Sequence, residues 1–203
     1  MKLLLLSALV GHILCGISDC LLTYSPSGKV SLKDFKDYDK MKNSFGEMSL
    51  KQINIAILLG FIAMPLELFG YLAVCNLVNS SASVLYWIML ISVVVIFTSI
   101  PLHHTICCLC EWFFIKLGKT EKALNTVYDF FKSTAFTMYT GYLAIIVFSI
   151  VFIIAVATGQ TSLPSWACLY NYLIFGLITL PTKIPAKTNV IGAAIFFGLL
   201  FVV

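Results

Sequence analysis

The chain has 203 residues, of which 60% are hydrophobic and 11% are charged, and its mean hydropathy is +0.99. Soluble domains carry about 25% charged residues, so this composition excludes a soluble monomer, a disordered chain, a coiled coil, a collagen and a disulfide-stapled miniprotein. The formal charge of +4 comes from lysines without any arginine, which does not fit the clustered basic face of a nucleic-acid-binding protein. The sequence predicts an all-α, multi-pass membrane helix bundle that forms one domain over residues 1–203.

The first predicted element covers residues 2–24, where one lysine precedes a long apolar run that imitates a signal peptide. No small-residue cleavage site follows, and the run continues to Tyr24, so we interpret it as a retained first span.

The seven cysteines lie mostly in apolar runs, where a free thiol behaves as a small hydrophobic side chain. An odd number scattered in this way does not indicate a disulfide framework.

A spanning helix needs about 20 mostly apolar residues, and six segments meet this requirement. In chain order the predicted spans are 2–24, 53–77, 84–116, 133–158, 165–180 and 188–203. In the loop 25–52, apolar residues recur near helical spacing with lysines between them, which predicts an amphipathic helix on the membrane surface with Ser31 as its N-cap. The alternative is a solvated connector with a few buried anchors.

The lysines predict the orientation of these spans. Twelve of the thirteen lie in or beside the first, third and fifth loops, and Lys2 is the exception. Because positive charge is retained on the cytoplasmic side, the lysine-rich loops are predicted to be cytoplasmic and both termini outside, in the inner (plasma) membrane. Thr120 and Glu121 are predicted to start a cytoplasmic extension of the fourth span.

Ionisable residues within the spans are candidates for a site, because such residues usually face the bundle interior and have a partner. The helical rise of 1.5 Å per residue places His12 and Glu67 at nearly the same depth, near the midplane. The sequence therefore predicts a contact between them. Asp19 lies two turns beyond His12 on the same helix face. Gly60 and Gly70, which stand alone in the second span, are predicted to allow close helix packing.

Further polar residues are predicted at the cytoplasmic end of the same bundle. The third and fourth spans bring histidines and tyrosines to the depth of Asp19, and together they predict a polar cavity that opens to the cytoplasm. Its candidate lining residues are His12, Asp19, Glu67, His103, His104, Tyr139 and Tyr142. The alternative is that each polar group only bonds to a neighbouring helix and holds the bundle together.

The third span also contains residue types that bind metals. Two adjacent helix faces carry candidate ligands one turn apart: His104, Cys108 and Glu111 on one, and His103, Cys107 and Cys110 on the next. The chain has no HExxH run, and it has no phosphate loop or dinucleotide fingerprint. No metal or other cofactor is therefore predicted.

Two stretches resemble an uncharacterised family of small multi-pass membrane proteins from low-GC bacteria. They are GISDCLLTYSPSG at Gly16–Gly28 and MPLEL at Met64–Leu68, and the resemblance covers most of the chain. The arginine-free composition fits a low-GC genome. Since that family has no established activity, the resemblance implies only that Asp19, the turn at Pro26 and Gly28, and Glu67 belong to a shared design.

The predicted function is to bind and translocate a small or lipid-like molecule, with Asp19 and Glu67 as proton-exchanging groups. One alternative is an integral-membrane enzyme that acts on a lipophilic substrate, with Glu67 or Asp19 as the acid or base and His103 or His104 orienting. Another is a non-catalytic membrane interaction or immunity protein. The expected partners are the lipid bilayer and this ligand, not a nucleic acid, and the sequence leaves the oligomeric state open.

Overall fold

The computed structural model describes residues 1–30 and 34–203, and the chain is all-α, with 79% of its residues in helices. The helices are α1 (Lys2–Thr23), α2 (Tyr38–Ser44), α3 (Leu50–Cys75), α4 (Ser83–Lys116), α5 (Glu121–Thr134), α6 (Phe136–Ala157), α7 (Tyr172–Thr179) and α8 (Lys187–Val202). Short 3-10 helices cover Ser80–Ala82 and Ser165–Leu169. After α1, the strands β1 (Tyr24–Ser25) and β2 (Gly28–Lys29) form a small antiparallel hairpin.

Within the described residues, four helical segments are long and apolar enough to cross a membrane: Lys2–Thr23, Leu50–Cys75, Ser80–Lys116 and Glu121–Ala157. The segment predicted as the fifth span, 165–180, is not one helix. Asn171 starts a new helix there, since its backbone is extended and its side chain accepts the N–H groups of Leu173 and Ile174. The resulting α7 has eight residues and is only about 12 Å long. The sixth predicted span forms α8, which has 16 residues.

Helix α1 lies between α3 and α8, while α4 packs against both α3 and α6, and α7 contacts α6 and α8. The approach of α1 to α3 leaves no room for a methyl group. A Cβ at Gly11 would lie 2.7 Å from the backbone oxygen of Ala63, and one at Gly70 would overlap the Cβ of Ala8. Close packing at Gly70 is therefore confirmed.

A separate hydrophobic core lies at the end of the bundle that carries the lysine-rich loops. Three side chains of the first loop, Met41, Phe45 and Met48, are buried there with Phe114 and Leu124. The prediction that this loop presents an apolar face to a membrane is wrong for these residues, because they pack against α4 and α5 instead. They match the alternative of a connector with buried anchors.

The caps at this end define where the loop helices begin. Asp37 accepts the backbone N–H of Lys40 at 3.1 Å and starts α2, whereas the predicted cap Ser31 lies outside the described residues. Thr120 accepts the N–H of Ala123 at 3.2 Å, so α5 starts where the sequence predicts. The ammonium group of Lys119 donates to the backbone oxygens of Phe45, at 2.7 Å, and Gly46, at 2.6 Å, and thereby ties the first loop to the corner between α4 and α5.

Candidate functional site

A cavity with a volume of about 410 Å³ lies between the helices of the bundle. This volume lies within the range of small-molecule sites. Its lining comes from α1, α3, α4, α5, α6, α7, α8 and the loops at the lysine-rich end. The cavity extends from Glu67 and Tyr71 in the second half of α3 to Glu111 near the end of α4 and Lys187 at the start of α8. It therefore reaches the end of the bundle where the lysine-rich loops lie.

Six of the seven predicted lining residues surround this cavity: His12, Asp19, Glu67, His103, His104 and Tyr142. Tyr139 does not, because it is 66% exposed on the outer face of α6. Three residues along a helix correspond to a rotation of about 300°, which leaves Tyr139 roughly 60° away from Tyr142. Tyr142 is itself 44% exposed, so this rotation is enough to turn Tyr139 away from the cavity.

The predicted contact between His12 and Glu67 is present, with 3.4 Å between Nδ1 and Oε1 and both side chains buried. However, the hydrogen bond of that nitrogen is made with the Oδ1 of Asn189, at 3.1 Å. The Nδ2 of Asn189 donates to Oδ2 of Asp19 at 2.8 Å. A single amide from α8 thus connects the two ionisable residues of α1, His12 and Asp19.

The roles of these atoms assign the tautomer of His12. Since Oδ1 of Asn189 can only accept, Nδ1 of His12 carries a hydrogen, and Nε2 is left as an acceptor. The hydroxyl of Tyr172 lies 3.4 Å from Nε2, and Tyr71 donates to that hydroxyl at 2.7 Å. A directed chain of hydrogen bonds therefore runs from Tyr71 through Tyr172, His12 and Asn189 to Asp19.

The chain continues from Asp19 to His104 on α4, with 3.5 Å between Oδ1 and Nδ1. On the other side of this imidazole, Nε2 lies 3.1 Å from Oγ of Ser18. Ser18 donates its only hydrogen to the backbone oxygen of Ala56 at 2.7 Å, so Nε2 of His104 must be the donor to Ser18. A favourable contact between Nδ1 and Oδ1 then requires a proton between His104 and Asp19.

Ser18, His104 and Asp19 have the connectivity of a serine hydrolase triad, in which the hydroxyl donates to the imidazole. Two observations argue against that chemistry here. The Ser18 hydroxyl donates to Ala56 instead, and the residue is 0% exposed, so a substrate in the cavity cannot reach it. We therefore interpret Ser18 as a residue that positions the ring of His104.

Two glycines provide the space for the imidazole rings. A Cβ at Gly60 would lie 2.5 Å from Nε2 of His104, and a Cβ at Gly192 would lie 2.5 Å from Nε2 of His12. Both distances are far inside van der Waals contact. Gly60, expected to allow helix packing, thus makes room for a histidine side chain.

His103 faces α6 rather than α1. Its Nδ1 lies 3.2 Å from the hydroxyl of Thr137, and its Nε2 lies 3.6 Å from the Sγ of Cys107. Among the described residues, no three His, Cys, Asp or Glu side chains are grouped so that they could hold a metal ion. The candidate set of His104, Cys108 and Glu111 is therefore not assembled, since the ring of His104 contacts Ser18 and Asp19 on α1.

Two buried carboxylate oxygens, Oε1 of Glu67 and Oε2 of Glu111, have no hydrogen-bond partner among the residues that the structure describes. Lys187, which also lines the cavity, donates from Nζ to the backbone oxygens of Thr179 at 2.9 Å and Thr182 at 2.8 Å. The ammonium group of Lys187 thus bonds to the end of α7. The cavity offers acceptors at both of its ends.

Sequence reasoning missed Asn189, Tyr71, Tyr172 and Gly192. The sequence signal for Asn189 was a single amide at the start of an otherwise apolar span, a type of residue that bonds across helices in membranes.

The model of a family of unknown function, DUF6796, matches residues 1–203. No curated protein and no solved structure matches the chain.

Proposed function

The chain belongs to the DUF6796 family, and because the function of this family is unknown, we propose from the cavity that it is a membrane protein that binds and translocates a small or lipid-like molecule. The observation that carries the proposal is the convergence of ionisable side chains from α1, α3 and α4 on one cavity of about 410 Å³. Polar side chains at this depth of an apolar bundle are costly, which favours a functional role.

The proposed topology has six crossings with both termini outside. The four long apolar helices supply four of them, and the segments 165–180 and 188–203 supply the other two. With the lysine-rich loops in the cytoplasm, as the positive-inside rule requires, the cavity opens toward the cytoplasm. A plasma membrane location in a low-GC bacterium is part of the same proposal.

Asp19 and Glu67 are the proposed proton-exchanging groups. Each carboxyl group lies beside an imidazole, at 3.5 Å from His104 and 3.4 Å from His12, respectively. In each pair, either the carboxyl group or the imidazole can hold a proton. Because Asn189 connects the two pairs, a change in the protonation of one pair alters the hydrogen bonds of the other. This coupling is what a proton-driven transporter needs between its carboxyl groups and its ligand.

The proposal is tested in proteoliposomes that contain the full chain and the trapped pH dye pyranine. Alkylamines, alkylcarboxylates and alcohols are added one at a time. A solute that is transported with protons changes the pyranine fluorescence, and this signal disappears when the pH gradient is dissipated. Asp19→Asn and Glu67→Gln are each expected to remove the signal. Glu121→Gln, on the exposed start of α5, is the control and should keep it.

Two results would overturn this function. If Asp19→Asn and Glu67→Gln both transport the same solute at the rate of the unchanged protein, the carboxyl groups are not exchanging protons. If no class of solute moves protons, the translocation hypothesis is wrong, and the alternative of a non-catalytic membrane interaction protein is favoured. The enzyme alternative instead predicts altered membrane lipids in cells that overproduce the unchanged protein, but not in cells that overproduce Glu67→Gln.

A further inference from the structure

The two unpartnered carboxylate oxygens indicate what the cavity binds. Glu67 is 8% exposed, and neither its Oε1 nor Oε2 of Glu111 receives a hydrogen bond from any residue within 1–30 and 34–203. Buried acceptors are almost always satisfied in proteins, and an exception calls for a missing partner. An occupant with N–H donors would provide that partner at both positions.

The positions of these two residues along the bundle give the distance between them. Gly60 on α3 faces the ring of His104 on α4, so these two positions lie at one level. Glu67 comes seven residues after Gly60, and Glu111 comes seven residues after His104 on a helix that runs the opposite way. At 1.5 Å per residue, their backbones are separated by about 21 Å along the bundle axis. The two acceptors therefore lie near opposite ends of one elongated cavity.

The wall between the two ends is largely apolar. Leu22, Ile100, Phe131 and Ile145 contribute to it, while the third carboxyl group, that of Asp19, already contacts Asn189 and His104. Within the described part of the chain, the lysine that lines the cavity directs its ammonium group to backbone oxygens of α7. The carboxyl groups of Glu67 and Glu111 thus have no lysine counterion among these residues.

We infer that the occupant is an elongated alkyl molecule with a protonated amine at each end, a diamine or polyamine. One ammonium group donates to Glu67 and the other to Glu111, and the alkyl chain lies along the apolar wall. An anionic ligand would add negative charge beside both carboxyl groups, and a ligand without hydrogen-bond donors would leave both buried acceptors unsatisfied. This inference rests on the proposed function, since it names the class of molecule that the same cavity binds.

The test uses the purified full chain in detergent and a series of linear α,ω-diamines of increasing length, with the monoamine and the diol of each length as matched controls. Binding is measured by calorimetry. We expect an optimal diamine length, with an affinity at least about tenfold above that of the matched monoamine, because each end forms a charge-assisted hydrogen bond. Glu67→Gln and Glu111→Gln should each reduce diamine affinity to the monoamine level, and Glu121→Gln should leave it unchanged.

The outcomes of this binding experiment test the diamine inference separately from the proposed translocation function. A monoamine that binds as tightly as its diamine, or a diol that does, would refute the two-amine occupant while leaving ligand binding in the cavity intact. Absence of binding by every diamine also refutes it, and solute-driven proton flux in the vesicle assay would then still support translocation by another ligand. If a glutamine variant does not fold, the comparison of diamine, monoamine and diol on the unchanged protein still gives the answer.

Discussion

Replacing Gly192 by alanine tests how tightly the site is packed around His12. The added Cβ would lie 2.5 Å from both Nε2 of His12 and the hydroxyl of Tyr172, whereas carbon atoms ordinarily approach to about 3.5–4.0 Å. The imidazole must therefore move by about 1 Å. It cannot move freely, because the rings of Tyr71 and Phe196 lie with their centroids 6.0 and 5.5 Å from its own.

The size of the effect follows from two opposing terms. Overpacking of a buried site costs about 1–3 kcal/mol, while alanine is favoured over glycine within a helix by about 1 kcal/mol. Gly176→Ala in α7 isolates the packing term, since no atom lies within 4 Å of a Cβ there and the gain in helix propensity is the same. The free energy of unfolding of Gly192→Ala should be about 1–3 kcal/mol below that of Gly176→Ala.

The assay is thermal unfolding of the purified variants in the same detergent. For a chain of this size, 1 kcal/mol corresponds to about 2–4 °C, so the two unfolding midpoints should differ by about 2–12 °C. A midpoint for Gly192→Ala that equals or exceeds that of Gly176→Ala would show that the close approach of α8 to His12 does not exist. The hydrogen-bond chain built on that approach would then be wrong as well.

Three further predictions concern other parts of the chain. Exchanging the buried pair, His12→Glu with Glu67→His, should destabilise the protein less than either single change in thermal unfolding, and additive losses would contradict a direct contact. Thr120→Ala should destabilise α5 by about 1 kcal/mol through the loss of its N-cap, measured by amide hydrogen exchange along that helix, and unchanged protection would refute the cap. The pKa of Asp37 is held below its ordinary value, first by the backbone N–H of Lys40 and then by its ammonium group. NMR titration should show this cap present at neutral pH and lost as the pH falls through the lowered pKa, and Lys40→Met should raise that pKa only part of the way, since the backbone bond remains.

The predicted partner of His12 depended on depth alone, which is why it could be read from the sequence. Helical rise converts position into depth, and two polar groups at one depth of an apolar bundle tend to meet. The hydrogen bonds of Asn189 to His12 and Asp19 could not be predicted in this way, because they join α1 to a helix more than 160 residues further along the chain. No local pattern specifies which face of α8 packs on α1.

Two differences between the sequence-based predictions and the structure have the same origin. The apolar spacing of Met41, Phe45 and Met48 is the same whether these side chains meet lipid or protein, and only the packing of α4 and α5 shows that they are buried. Likewise, the hydropathy of 165–180 satisfies the requirement for a span, but Asn171 makes local hydrogen bonds that begin a short helix within it. Hydropathy measures how apolar a segment is and does not reveal what surrounds it.

The helical class, the approximate bounds of the long apolar helices and the Thr120 cap could be predicted from the sequence, since these depend on residues within a few positions of one another. The sequence also placed the ionisable residues at their depths. Packing between the helices was needed to show that Tyr139 lies outside the cavity, that Asn189 links His12 to Asp19, and that Gly60 and Gly192 leave room for the imidazole rings. The physical reason is that rotation of one helix about its axis against another is set by close packing over the whole interface, which no short segment encodes.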